Sequence, residues 1–222
     1  MNRAKIGFVV GLTAEARLLR NTGFMVETGG GLPAGAALAA ERLIAKNAAA
    51  LISFGLAGGL NPALPPGAIL IPQAVIDGNE IFQCDSELLA MLGHANSNSI
   101  TSSQNIAASA GEKRELHLRA MADAVDLESG AVARAAASKN LPFAVLRAIA
   151  DPAERDLPPA ALIALNSAGN IKMSAVLASV LRQPGQIPAL LAIAKDAAKA
   201  RAALIRRLKQ IAQEGSRFFE NR

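Results

Sequence analysis

Residues 141–152 read L-P-F-A-V-L-R-A-I-A-D-P, an almost wholly apolar run with proline near both ends. It is too short for a typical helix, and its near-continuous apolar character predicts a buried strand of a parallel sheet. The run ends in the carboxylate of Asp151. In open α/β sheets ligands bind beyond the carboxyl ends of the strands, so an acid placed there is a candidate for chemistry. The competing reading is a carboxylate that caps the next turn, because Asp before Pro is also common turn chemistry.

The rest of the chain alternates in kind. Strands are predicted at Lys5 to Gly11, Phe24 to Thr28 and Ala50 to Gly55, with extended segments at Ala68 to Ile76 and Ser99 to Ser103 and a short strand closing at Val125 and Asp126. Pro72 inside the fourth of these points to an edge or a bulge. Helices are predicted at Ala14 to Asn21, capped by Thr13, then at Ala36 to Lys46, Asp85 to Gly93, Glu112 to Ala122 and Glu128 to Asn140. From Pro159 onward the chain reads as helix, with breaks near Gly169 and at Gln183-Pro184-Gly185. Alternating strands and helices with no long internal linker imply one α/β domain built on a mainly parallel sheet.

Three acids then fall at strand ends or just beyond them: Glu15, Glu128 and Asp151. In a parallel sheet they converge on one edge. Two glycine-rich turns, Gly29 to Gly31 and Gly55 to Gly59, are expected at the same edge, where a backbone without side chains can approach a ligand and present N–H groups. Neither matches the dinucleotide fingerprint or a P-loop.

Composition narrows the partners. The chain has no Trp or Tyr and seven Phe, so few side chains could stack on a ligand. Its net charge of +5 is unevenly placed: residues 172–222 hold 10 Lys and Arg against 3 Asp and Glu, and residues 1–171 hold 13 against 15. A body without basic residues in excess, and with few aromatics, argues against nucleic acid as a partner. The single cysteine, Cys84, rules out an intramolecular disulfide and fits a reducing, cytoplasmic compartment. The N-terminal apolar run leads straight into T-A-E-A-R-L-L-R and reads as a first strand, not a signal peptide. No apolar run reaches the roughly 18 residues a membrane span needs. His94 and His117 lack metal-ligand spacing with other donors, so no metal and no cofactor are expected.

Together these segments resemble the nucleoside phosphorylase and nucleosidase superfamily, in particular its branch cleaving methylthioadenosine and S-adenosylhomocysteine. K-I-G-F-V-V-G-L-T-A-E is similar to that branch's first strand and catalytic glutamate, and S-F-G-L-A-G-G-L-N-P from Ser53 to its glycine-rich loop. V-D-L-E-S-G-A-V from Val125 resembles its ribose-binding segment, and R-A-I-A-D the motif whose aspartate contacts the purine. The S-F-G-L-A-G-G-L-N-P-A-L phrase, a shortened region between Val75 and Ser99 and the tail V-L-R-Q-P-G-Q-I-P-A-L-L further resemble the hopanoid-associated phosphorylases. The resemblance implies a single-domain three-layer α/β/α fold of the nucleoside phosphorylase type across residues 1–222, a homodimer or larger homo-oligomer, and release of adenine from an adenosyl compound, adenosylhopane in hopanoid synthesis.

On that resemblance Asp151 is the acid that donates to N7 of adenine, which requires a raised pKa that desolvation at an apolar strand end could supply. Glu128 holds the ribose hydroxyls, Leu127 lies beneath the sugar, and Ala57, Gly58 and Gly59 line its anomeric side. Ile106 stands where the family has a stacking Phe. Glu15 orients an attacking water if the reaction is hydrolysis. If it is phosphorolysis, phosphate is the co-substrate and Gly30 and Arg17 are candidates to bind it. A carboxylate at Glu15 repels phosphate, and the sequence leaves both chemistries open. The alternatives are a housekeeping methylthioadenosine/S-adenosylhomocysteine nucleosidase and a non-catalytic nucleoside-binding or membrane-associated scaffold. Leu190, Ile193, Ala197, Ala200, Leu204, Leu208 and Ile211 fall at helical spacing with Lys195, Lys199, Arg206 and Lys209 around the turn. That pattern predicts an amphipathic basic helix, packed on the domain or lying on the inner membrane surface.

Overall fold

The computed structural model describes residues 3–162 and 173–220. The apolar run ending at Asp151 is strand β9 (Phe143–Asp151), and it lies parallel to β3 (Ala50–Gly59) along nearly its whole length, from Leu51 opposite Phe143 to Gly58 opposite Asp151. On its other side β3 pairs in parallel with β1 (Ile6–Val10), which pairs with β2 (Met25–Thr28). The rest of the sheet comprises β4 (Ile69–Leu70), β5 (Pro72–Asp77), β6 (Glu80–Gln83), β7 (Ser97–Ser102) and β8 (Ala124–Asp126). The order is β2-β1-β3-β8-β7-β5-β6, with β9 joined to β3 and β4. Five pairings are parallel and three, β3 with β8, β4 with β9 and β5 with β6, are antiparallel.

Helices cover both faces. On one, α2 (Pro33–Ala45) and α5 (Ser129–Ala137) pack small side chains, Ala36, Ala39, Ala40, Ala133 and Ala136, against Leu51, Val145 and Ile149. On the other, α3 (Ser86–Leu92) and α8 (Ile187–Glu220) close over Ile52, Phe54 and Leu146. Phe8 meets Phe54 edge-on at 5.8 Å and Phe24 at 4.7 Å between ring centroids, so three of the seven Phe form one cluster. The remaining helices are α1 (Thr13–Ala16), α4 (Ala110–Ala120), α6 (Pro159–Leu162) and α7 (Met173–Arg182).

Several elements differ from the sequence reading. Gly55 to Gly59 is not a turn but the last five residues of β3, because β9 supplies backbone partners as far as Gly58 and β8 takes over antiparallel at Gly58 and Gly59. Cross-strand pairing overrides the weak strand preference of glycine. Pro72 begins β5, which is paired on both sides; the first position of a strand tolerates a missing N–H. Thr13 lies inside α1, and the residue preceding that helix is Leu12, whose N–H is taken by Glu15 reaching back from the first turn. The break at Gln183 is a 3₁₀ turn, Pro184–Gln186, and the one near Gly169 lies outside the described residues.

The basic terminal helix packs on the domain. Ala200, Leu204, Leu208 and Ile211 are buried in the core, whereas Leu190, Ile193 and Ala197 are half-buried. Lys195, Arg206 and Lys209 face solvent. The large apolar side chains left exposed around this helix and α7 include Leu177, Leu181, Ile187 and Leu191. Among the described residues no single helix is long and apolar enough to cross a membrane.

Candidate active site

The carboxyl ends of β1, β3, β8 and β9 open into a cavity of about 230 Å³. Glu15, Ala57, Gly58, Ile106, Leu127, Glu128 and Asp151 all line it. Three other sequence candidates lie outside its lining. Gly59 is one residue past the cavity and faces Ile149, where an added Cβ would sit 3.2 Å from a methyl group. Gly30 is replaced at the wall by Gly31. Arg17 begins a 3₁₀ turn and is exposed, because the single turn of α1 that aims Glu15 inward carries Arg17 outward.

Glu15 is 2% exposed, and its carboxylate accepts the N–H of Leu12 at 2.8 Å and of Leu56 at 2.9 Å. The Leu56 contact fixes it to the middle of β3. Gly55, with φ of 150°, is required there, since a Cβ would run into both Glu15 and Arg147. Glu128 precedes α5 but does not cap it. Asp126 does so, accepting the N–H of Glu128 at 3.1 Å and of Ser129 at 3.0 Å, which leaves the Glu128 carboxylate free to face the cavity. Gly11 makes room for that carboxylate, as any side chain there would overlap it.

Arg147 ties these acids together. It is 1% exposed, and its Nη2 lies 2.7 Å from Asp126 Oδ2, 2.8 Å from Glu128 Oε2 and 2.7 Å from Ser53 Oγ. Ser129 completes the cluster, donating to Asp126 with its Oγ 3.0 Å from Ser53 Oγ. Burial works against the Arg147 charge, but the carboxylates of Asp126, Glu128 and Glu15 outweigh it and raise its pKa. One guanidinium cannot offset three buried carboxylates, so the cluster tends to keep a proton. Burial raises Glu15 above the usual carboxylate range against the pull of Arg147 and its N–H donors. Burial, then the charges of Glu15 and Asp126, push Glu128 up to about 7 despite Arg147.

The linked stability has a definite sign. A Glu128 that binds its proton more tightly folded than unfolded contributes stability fully present below the ordinary glutamate value of 4.5 and lost as pH rises through about 7. Urea unfolding is therefore expected to give a lower free energy at pH 8 than at pH 5, and Glu128→Gln is expected to flatten that slope. A slope unchanged in the variant would assign the dependence elsewhere.

Across the cavity Asp151 is held differently. Its Oδ2 lies 2.5 Å from the Nζ of Lys113, a residue of α4 that is completely buried, and its buried Oδ1 has no hydrogen-bond partner among the described residues. Burial pushes this carboxyl above the ordinary aspartate value; Lys113 opposes that shift without cancelling it. The site therefore brings to one cavity a carboxyl with one buried oxygen unpartnered among the described residues and an acid–guanidinium cluster. The walls between are mainly apolar, including Leu12, Leu56, Ala107, Val125 and Leu157. Ile106 is 39% exposed at the cavity, and no aromatic side chain among the described residues lines it.

Sequence reasoning missed Lys113, Arg147, Asp126 and Ser53 as site residues. Arg147 carried a signal: a lone charged residue inside the apolar run of β9 needs buried counter-charge. Lys113 carried none, sitting in G-E-K-R-E-L-H-L-R among residues of the same kind.

A mixed, mainly parallel sheet covered by helices, with acids gathered at strand ends of β1, β8 and β9, is the α/β fold of the nucleoside phosphorylases and nucleosidases. Residues 8–93 match the family profile of the phosphorylase superfamily. The fold is similar to that of the 5′-methylthioadenosine/S-adenosylhomocysteine nucleosidase of Helicobacter pylori over 96% of this chain and 100% of that one, at a TM-score of 0.70 and 16% identity. The corresponding nucleosidase of Neisseria meningitidis matches over 93% and 99% of the two chains, with TM-score 0.65 and 19% identity. A futalosine hydrolase mutant of Helicobacter pylori matches over 94% and 98%, with TM-score 0.65 and 16% identity. No curated protein sequence matches the chain.

Proposed function

We propose that this chain is an enzyme that cleaves the N-glycosidic bond of an adenosyl compound, releasing adenine, with water as nucleophile. The observation that carries the reading is that one cavity is lined both by Asp151, whose buried Oδ1 has no partner among the described residues, and by Glu15 and Glu128 of the buried cluster around Arg147. In this reading Asp151 passes a proton to N7 as the bond from C1′ to N9 breaks and its electrons enter the purine. The ribosyl group gains oxocarbenium character, water adds to C1′, and Glu15 takes the water's proton. Glu128 accepts hydrogen bonds from the ribose hydroxyls, and Leu127, Ala57 and Gly58 shape the floor beneath the sugar.

Water is favoured over phosphate on electrostatic grounds. The cationic groups nearest the sugar side and the base side, Arg147 and Lys113, are each engaged by carboxylates. Arg17 lies outside the cavity, and a phosphate would face both Glu15 and Glu128. Gly31, with φ of 76°, is the one element of the phosphate reading that stays at the wall.

The apolar lining and the absence of an aromatic stack suit an adenosyl compound with a hydrophobic 5′ substituent, of which adenosylhopane is the example we favour; methylthioadenosine is the smaller alternative. The test is adenine release from methylthioadenosine, S-adenosylhomocysteine and adenosylhopane, each with and without phosphate. Release that needs no phosphate and yields the free sugar is the expected result. Ribose 1-phosphate as product would overturn the choice of nucleophile, and no adenine from any of the three would favour a binding scaffold.

A further inference from the structure

Among the described residues Lys113 is the most completely buried cation outside the acid cluster, and every proton on its ammonium group has a destination. Its Nζ donates to Pro152 O at 3.0 Å and to Arg155 O at 2.7 Å, and it pairs with Asp151 Oδ2 at 2.5 Å. An ammonium group has three donors, so this tripod leaves none for a ligand. Although the lysine lines the cavity wall, it acts on a bound molecule only through Asp151. The helix that carries it is firmly started: Ser109 accepts from Glu112 N at 3.2 Å, Glu112 accepts back from Ser109 N at 3.0 Å, and Asp156 accepts from Ala110 N at 2.8 Å.

We propose that Lys113 is a positioning residue that sets the acid strength of Asp151 and, by holding Oδ2, leaves Oδ1 to carry the proton. The inference rests on Asp151 being the acid of the proposed reaction. Holding Oδ2 by an ion pair fixes the carboxyl plane and leaves Oδ1, which is buried and has no partner among the described residues, as the oxygen that can carry the proton. As the Oδ1 proton moves to the base, negative charge develops on a carboxyl already against an ammonium group in a dry site, where a preorganised charge has its greatest effect. The same contact limits how far burial can raise the carboxyl.

The other charges facing this pair are Arg155, which follows β9, and Asp196 of α8, which carries its own counter-ions, Arg155 at 2.6 Å and Lys199 at 2.9 Å. Arg155 lowers and Asp196 raises the Asp151 carboxyl, both less than Lys113 does. Lys113 is thus the group whose removal should be felt most.

The test is a titration of the Asp151 carboxyl by ¹³C NMR, assigned by its loss in Asp151→Asn, in the native chain, Lys113→Gln and Lys113→Arg. Gln keeps a donor for the carbonyls of Pro152 and Arg155 without the charge; Arg keeps the charge. The midpoint is expected to rise by about 1–3 pH units in Lys113→Gln and to stay near the native value in Lys113→Arg. An unmoved midpoint in folded Lys113→Gln overturns the proposal. The alkaline limb of adenine release from methylthioadenosine should move with the midpoint. A midpoint that moves while the limb stays would leave the Lys113 contact standing and remove Asp151 as the acid. If Lys113→Gln does not fold, the Arg variant decides: a midpoint displaced upward with the charge retained overturns the role of that charge.

Discussion

Asp151→Asn is expected to lower kcat for adenine release by about 10²- to 10⁴-fold, the range a positioned general acid contributes. Adenine departs poorly as an anion, and in the proposed reaction Asp151, whose buried Oδ1 has no partner among the described residues, is the proton source. Asparagine preserves volume and can still donate a hydrogen bond, so binding should change little while proton transfer is lost. The cost should therefore fall on kcat more than on KM. A ribosyl p-nitrophenolate, whose leaving group needs no proton, separates chemistry from damage. It should be hydrolysed by the variant at close to the native rate. Equal losses on both substrates would mean that the substitution deforms the site, through the Lys113 ammonium left facing a neutral amide.

The acids were legible in the sequence because they obey a topological rule: Glu15, Glu128 and Asp151 each follow an apolar run, and parallel strands gather such positions on one edge. The sheet was legible for the same reason, since β1, β3 and β9 are buried on both faces and read as continuous apolar runs. What lay beyond reach was pairing over long separations. Nothing local to Gly55–Gly59 says that β9, some ninety residues later, will hold it as strand. The short strand β6, E-I-F-Q, went unseen because its residues are half-polar and its support comes from β5 across a tight turn at Gly78. Gly30 and Arg17 were near misses of orientation. A 3₁₀ turn after one turn of α1 decides which side chain enters the cavity, and periodicity does not resolve so short a helix. Lys113 shows the limit most plainly, because what distinguishes it from Arg114 beside it is burial against residues 151–155.

Arg147→Met is expected to destabilise the fold by about 3–5 kcal/mol at pH 8, the cost of removing one partner from a buried charge cluster. Methionine fills much of the arginine's volume along β9, so the loss is electrostatic more than steric. Glu128, Asp126 and Glu15 would then face one another without a cation, in a site where burial already raises Glu15 and takes Glu128 to about 7. Glu15 and Glu128 can escape this only by binding protons, which sets the direction of the pH dependence. Raised folded-state pKa values mean that the stability they contribute is present at low pH and lost as pH rises, over a wider window in the variant than in the native chain. The destabilisation measured by urea unfolding should therefore shrink markedly at pH 5. A loss of the same size at both pH values would show that Arg147 acts by packing and by its hydrogen bond to Ser53. It would also take away the electrostatic ground for preferring water to phosphate, because the acids facing the sugar would no longer be competing for a single shared cation.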